Sequence, residues 1–529
     1  MSSFVYHAER PLLSDERSGL TRRGLLGATA LGLVAGAPAM ARAAGPQGQL
    51  TWGIHVSLAP SWFDPAETQG IITPYMVLYA LHDAMVKSMP GNPQAPCLAE
   101  SWSTSSDHLT HEFVLRPGVK FHDGEPVTAD DVKFSFERYH GVSHELIKQQ
   151  VAAIEVPDPR RVRFKLKQPW PDFLTFYSSA TGAGWVVPKK YIERVGEEGY
   201  RKAPIGAGPY KFVSFTPGVE LVLEAFEGYW RKVPNVKRLV MKVVPDEGTR
   251  AAALKRGEID IAYSIRGELA EDLQRTAGIS LKPVVLQAPN WLYFPEQWDP
   301  KSPWHDLRVR QAANLAIDRE GMSKALFLGH CKVTNSIIPY TFEYFWQPST
   351  AGYDPGSARK RMAEAGFAKG FDAGLLYCDA SYANMAEVSV NNLAEIGIRA
   401  RLQPIERAGF FAGYSSKKYT RGIIQGASGA FGNAATRLAA FVVKGGSFAY
   451  GSYPDIDELY PKQADELDRG KRGAMLEKMQ QLVHDKAIYA PIWQLGFINA
   501  VGPRVGESGF DLITGFAYTA PFEDITIKA

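Results

Sequence analysis

The residues of this 529-residue chain that could do chemistry are scattered rather than clustered. There are eleven histidines, but none lies in an HExxH pair, and no serine lies in GxSxG. Those spacings matter because a metal needs two imidazoles on one helical face and a serine nucleophile needs a sharp strand-to-helix turn. His122 and Asp123 are neighbours in a turn, so they do not face each other as an acid–base pair must. Gly206-Ala207-Gly208-Pro209-Tyr210 has the glycines of a phosphate loop but neither the GxxxxGK[ST] nor the GxGxxG spacing. Asp260, in the strand pattern Glu258–Ala262, reads equally as a site carboxylate or as a strand-end acid bonded to nearby backbone. Cys97, Cys331 and Cys378 stand far apart, without CxxC or zinc spacing. Their odd number leaves at least one thiol free and allows one disulfide.

The elements that would position such residues are regular. The segment Leu98–Tyr139 reads as strand, turn, strand, turn, helix: His111–Leu115 alternates, Arg116-Pro117-Gly118 turns, Val119–Phe121 extends, and Thr128 with Asp131 forms a capping-box pattern. Ile72–Met85 has helical spacing, and Arg161–Leu166 alternates as a strand. Val240–Val244, a helix capped by Asp246 and stopped by Gly257, and the strand Glu258–Ala262 form one β-α-β unit. A second runs from Ala373–Tyr377 through a helix over Tyr382–Glu395 to Ile398–Gln403, with Gly397 at the helix end. Asp306 opens a further helix, and Arg472–Asp485 is long and amphipathic.

Composition is that of an ordinary globular chain, 45% hydrophobic and 22% charged. Five arginines and three acidic residues precede residue 45, so the remainder carries a net charge of +1 against +3 for the whole chain. Without a basic run or a basic–aromatic stripe, nucleic acid is not an expected partner. Arg22-Arg23 precedes a Gly/Ala-rich apolar run ending in Ala39-Met40-Ala41 and Ala41-Arg42-Ala43. This is the pattern of an export signal over residues 1–44, of twin-arginine type, cleaved after Ala41, Ala43 or Ala44. No cysteine follows the apolar run, so a lipid anchor is not expected, and the mature chain is expected to be a soluble periplasmic protein.

Several of these stretches resemble one family. LAESW followed by LRPGVKFHDGEPVTADDVKFSFERY is similar to the signature of family 5 extracellular solute-binding proteins, the peptide/nickel-type receptors of ABC importers. Trp62-Phe63-Asp64-Pro65, Gly206–Tyr210, Gly228-Tyr229-Trp230, RAAALKRGEIDIA, DLRVRQAANLAIDRE, Asn392–Ile398 and Ala490–Trp493 resemble further family elements in order. Pro295 departs from the asparagine usual there.

The resemblance implies an α/β, two-lobed periplasmic binding protein fold of type II with an extra domain, mixed sheets and a ligand cleft between lobes. Lobe I would comprise 48–82, 206–288 and 494–529; the extra domain 83–205; lobe II 289–493. It implies a monomeric, non-enzymatic receptor without cofactor. Its partners would be a small-molecule solute and an ABC permease at the inner membrane. The cleft lining is expected to include Trp62, Trp291, Tyr293, Arg407, Phe431, Asn433 and Trp493. Peptide-binding members place an aspartate in the loop equivalent to Ile424–Asn433; here IQGASGAFGN has no acid. A buried ammonium without a carboxylate is costly, so an anionic, neutral or aromatic solute is expected rather than a free-amino peptide. A receptor for a chelated metal such as nickel and a secreted hydrolase are the alternative readings.

Overall fold

The structure is a computed structural model and describes residues 45–68, 72–178, 180–349 and 352–528. The export signal read over residues 1–44, with Arg22 and Arg23, lies outside the described residues.

Two long antiparallel strands, Ser280–Tyr293 and Tyr489–Val501, run side by side from Ser280 opposite Val501 to Tyr293 opposite Tyr489. Every residue of the second is buried, Gln494 and Asn499 included, as in a strand covered on both faces. Pro283 and Pro289 remove donors from the first, and its register slips between Val285 and Pro289 and again between Asn290 and Trp291. An 11-stranded sheet is built outward from this pair. On one side lie Ile261–Ala262, Gln47–Ile54, Val236–Val243, Glu220–Ala225 and Tyr210–Thr216. On the other lie Ile423–Ala427, Phe371–Asp379 and Ile398–Ile405, and the eleventh strand, Lys332–Val333, pairs with Tyr489–Val501 outside this order.

Each side carries one of the expected β-α-β units. Val236–Val243 and Ile261–Ala262 both run parallel to Gln47–Ile54, which lies between them. The linking helix Glu247–Lys255 starts where the Asp246 side chain accepts from Thr249 N, and Gly257 leaves it at φ +71°. On the far side, Phe371–Asp379 pairs in parallel with both Ile398–Ile405 and Ile423–Ala427, and Gly397 ends the helix Ala383–Ala394 at φ +87°.

A four-stranded antiparallel sheet, in the order Ala99–Thr104, Thr110–Leu115, Arg161–Leu166, Val151–Asp158, has its own aromatic core around Phe113, Phe136, Phe164, Phe173 and Tyr177. The helix Ala129–Arg138 begins as its capping box predicts: Thr128 N donates to Asp131 Oδ2 at 2.9 Å. His122 is structural. Its Nδ1 accepts from Gly206 N at 3.2 Å and its Nε2 lies 3.0 Å from Gly208 O. The two glycines are required by close approach: a Cβ would stand 1.9 Å from Leu81 O at Gly206 and 2.5 Å from His82 N at Gly208.

Some expectations change. The helix read over 72–85 is the shorter Tyr75–Leu81, and only Ile261–Ala262 of the strand at 258–262 is paired. Asp260 accepts from Thr51 N at 2.8 Å and pairs with Arg504 at 3.3 Å, so it is the strand-end carboxylate. The three cysteines are unpaired. Pro295 opens a short 3-10 helix to Trp298, where a missing N–H costs nothing, and Phe294 before it stacks on Trp304 at 4.2 Å.

Candidate ligand cavity

A cavity of about 260 Å³ opens beside the register slip of the crossing strands. Leu286, Ala288 and Asn290 line it from one crossing strand with the period of two that a strand imposes, and Leu495 and Phe497 line it from the other. The rest of its wall follows a rule of parallel sheets, whose ligands gather at the carboxyl ends of strands. Asp379 ends its strand, Arg407 stands two residues past Ile405, and Ser428 follows Ala427, so three parallel strands deliver their carboxyl ends here. Trp62 and Thr73 come from the opposite side of the sheet, and Val142, Phe176 and Ala180 from the segment around the four-stranded sheet.

Arg407 is the most connected of these side chains. Its Nε donates to Thr73 Oγ1 at 3.0 Å, and a terminal nitrogen pairs with Asp379 Oδ2. Phe411 lies 5.3 Å from the guanidinium carbon and Tyr382 6.0 Å. Burial, the largest single influence, would lower its pKa; the Asp379 charge and hydrogen bond, with Tyr382 and Tyr518, together outweigh it and hold the guanidinium above its ordinary range. The other Asp379 oxygen accepts from Ser381 N at 2.9 Å.

Arg437 is 3% exposed and also faces the cavity. Its terminal nitrogens donate to Ser428 O at 2.9 Å and Ala430 O at 3.1 Å, which fixes the loop that precedes Phe431. Its ion-pair partner is missing: no carboxylate among the described residues bridges to it. Burial brings its pKa down to about 9, which leaves it charged at neutral pH. Glu67, the second carboxylate in the wall, is paired with Arg201. His55 lies just behind the wall, its ring 5.5 Å from Phe497 and 6.1 Å from Tyr518. Burial first, then the charges of Arg250, Arg407 and Arg266, push its pKa well down, so it is neutral.

Of the residues singled out from sequence, Trp62, Arg407 and Phe431 stand in this wall. The other four stand outside it. Trp291 is fully buried against Phe441 and Tyr489, at 5.1 and 5.6 Å between rings. Tyr293 packs on Tyr489 at 4.9 Å and its hydroxyl accepts from Trp298 Nε1 at 3.0 Å. Both stand an odd number of residues after Asn290, so the alternation of the strand puts them on its other face. Trp493 is covered by Phe327 at 5.9 Å, beneath the helix Arg319–Phe327. Asn433 caps the helix Ala434–Phe441, where its Oδ1 accepts from Thr436 N at 3.0 Å. Sequence reasoning did not single out Asp379, Thr73 or Arg437. The signal for the first was its position at the carboxyl end of a parallel strand.

Asp64, Glu67 and Glu197 bring carboxylate oxygens within 4.8 Å of one another. Arg138 spans Asp64 at 2.8 and 2.7 Å and also pairs with Glu197, while Arg201 holds Glu67. The cluster is therefore an arginine-neutralised network rather than a free ligand set for a cation. No helix among the described residues is long and apolar enough to cross a membrane.

The arrangement matches known proteins. The glutathione-binding protein GsiB of Salmonella typhi is 30% identical over 319 residues, which span 58% of this chain and 60% of that relative. Among solved structures, the ABC transporter-associated periplasmic binding protein DppA from Helicobacter pylori, in complex with peptide STSA, superposes with a TM-score of 0.79 at 23% identity, covering 91% of this chain and 98% of that one. MoaA of A. tumefacien R10, in complex with mannopinic acid, gives 0.78 at 24% identity over 92% of this chain and 100% of that one. Both share the periplasmic-binding-protein fold, α/β with mixed sheets. The family model for bacterial extracellular solute-binding proteins, family 5 (middle), matches residues 94–449, and the chain belongs to that family.

Proposed function

We propose that the chain is the solute receptor of an ABC importer, exported to the periplasm, and that its solute carries an acidic group. Two lobes, 48–82 with 206–288 and 494–529, and 289–493, swing about the crossing strands and close on the solute, with 83–205 as the extra domain. Closure makes the receptor recognisable to a permease, so binding energy is used for a population shift rather than for chemistry. The relatives' names point in several directions: glutathione, a peptide and mannopinic acid.

The observation that carries the reading is the charge balance of the wall. Its two carboxylates, Asp379 and Glu67, already hold arginines, while Arg437 is buried without a carboxylate. An entering ammonium would find no free acid, and a buried charge without a partner is expensive. An entering carboxylate would find Arg437 and the donors around Arg407. Phe411, Phe431 and Trp62 offer flat apolar surface for the rest of the molecule.

A thermal-shift and calorimetric panel tests this: organic acids, opine-type acids, glutathione, and free-amino di- and tripeptides without acidic side chains. An acid present at a hundred times its Kd should stabilise the protein by about 2.7 kcal/mol. Micromolar or tighter binding of the neutral-side-chain peptides, with no response to any acid, would sink the assignment.

A further inference from the structure

Asp172 lies outside the cavity wall, yet it joins two of its sides. It is 1% exposed, and both its oxygens are taken by residues far along the chain. Oδ1 accepts from Asn433 Nδ2 at 2.7 Å, and Oδ2 pairs with the Arg472 guanidinium. Arg472 is itself buried and donates Nε to Gln463 Oε1 at 3.1 Å. At the rim of the same contact, Gln168 Nε2 donates to Asp465 Oδ1 at 3.1 Å.

Both ends of this cluster lead into the cavity. Asp172 immediately precedes the helix Phe173–Ser178, which carries Phe176 into the wall, and Ala180 follows. Asn433 stands two residues after Phe431 and caps the helix that carries Thr436 and Arg437. The Asp172 carboxylate therefore sets the distance between Phe176 and the 428–433 loop.

Ala439 also packs on the core of segment 83–205 from the lobe II side, while the other polar anchors of that segment tie it to lobe I. Arg138 holds Asp64, Arg201 holds Glu67, His122 bridges Gly206 and Gly208, and Tyr75 Oη donates to Thr181 O at 3.0 Å. Asn433 and Arg472 belong to lobe II. If the lobes separate about the crossing strands, segment 83–205 travels with lobe I and the Asp172 contacts break.

We propose that Asp172 is a positioning residue for the ligand cavity and that the Asp172–Asn433–Arg472 cluster is a latch made only on closure, which makes the extra domain a working part of the clamp. This rests on the two-lobe reading above. Both charges regain water when the latch opens, so it fixes the geometry of closure as much as its depth.

The test is single-molecule FRET on the otherwise complete mature chain, with dyes at Val219→Cys and Leu467→Cys, exposed positions at 55% and 49% on lobes I and II. It compares wild type, D172A, and D172A/R472M, which leaves no buried charge unpaired. Hydrogen exchange of residues 428–433 is followed in parallel. Both variants should raise the open-to-closed ratio at least threefold without ligand and speed exchange in that loop, while the protection of Ser280–Tyr293 stays at its wild-type level. An open form in wild type whose population neither variant changes would overturn the latch alone. A single invariant distance in wild type, with and without every solute of the panel, would overturn the two-lobe reading and the latch with it.

Discussion

Acidification should weaken the packing of the helix Tyr75–Leu81 against the Gly206–Gly208 turn, and His82 lets the effect be worked out. The residue ends the helix Tyr75–Leu81 and is fully buried beside Gly206 and Gly208. Its Nε2 lies 2.9 Å from Phe63 O, while Nδ1 is buried without a partner. Burial drives its pKa from 6.5 down to about 4, against the opposing pull of the Phe63 carbonyl, Asp64 and Asp83. In the unfolded chain the imidazole returns to its ordinary value. Between these two values the unfolded state binds a proton that the folded state does not, so stability is whole above pH 6.5 and falls as pH drops towards 4. At 1.36 kcal/mol per unit, the loss from this one ring is about 2 kcal/mol at pH 5 and about 3 kcal/mol once both states have titrated.

Other groups titrate in the same range. His122, brought to about 3 mainly by burial, acts in the same sense. Asp131, Asp260 and Glu523, raised by burial, act in the opposite sense. A difference measurement removes them. His82→Gln keeps an amide donor for Phe63 O and carries no proton to titrate. Urea unfolding of wild type and H82Q at pH 8, 7, 6 and 5 should show wild type losing about 2 kcal/mol more than the variant over that span. Parallel curves, within about 0.5 kcal/mol at every pH, would refute the assignment of a buried neutral imidazole at this position.

Replacing Arg437 by Met removes the unpaired cation and the two carbonyl bonds that hold the 428–430 loop; calorimetry should show the best-binding acid of the panel weakened at least tenfold, about 1.4 kcal/mol, with Arg437→Lys recovering part of it. Arg407→Met strands the Asp379 carboxylate, and breaking a buried pair from one side costs about 3 kcal/mol; because the Arg407 side chain is 16% exposed at the cavity, the low end of that range is expected, and R407M/D379N should regain most of it in thermal melts. Gly206→Ala would drive a Cβ against Leu81 O at 1.9 Å, so the variant should melt at least several degrees lower or fail to accumulate, whereas Gly218→Ala, with open space around its Cβ, should lose no more than about 1 kcal/mol despite its φ of +73°.

Local grammar was legible in the sequence wherever one residue type settles one backbone choice. The caps at Thr128, Asp246 and Asp306, the helix ends at Gly257 and Gly397, and the strands at 111–115 and 161–166 all depend on near neighbours, and all appear. The cavity was less legible because its wall is assembled across long sequence separations. Trp291, Tyr293 and Trp493 lie on the crossing strands, but which of a strand's two alternating faces meets the cavity is set by distant partners, and the slips at 285–289 and 290–291 further interrupt the pairing. No local pattern announces them beyond Pro283 and Pro289. Asn433 carries both a cap and a long-range bond, and only the cap has a signature nearby.

Charge shows the same limit at the point that bears on the ligand. The absence of an acid from IQGASGAFGN is a fact about ten consecutive residues, but the charge met by a ligand is a sum over a volume. Within that volume an acid is present: Asp379, delivered by a strand some fifty residues earlier. What denies it to an ammonium is Arg407, which reaches it from the next parallel strand and also bonds Thr73 across the cavity. One arginine thus neutralises the available carboxylate and joins the two sides of the sheet. The proposed preference for an acidic solute and the contact between the two sides of the sheet therefore share one side chain. A variant that frees Asp379 by removing Arg407 would give up the Thr73 bond at the same time, so a change of ligand charge at this site requires a second contact to replace it.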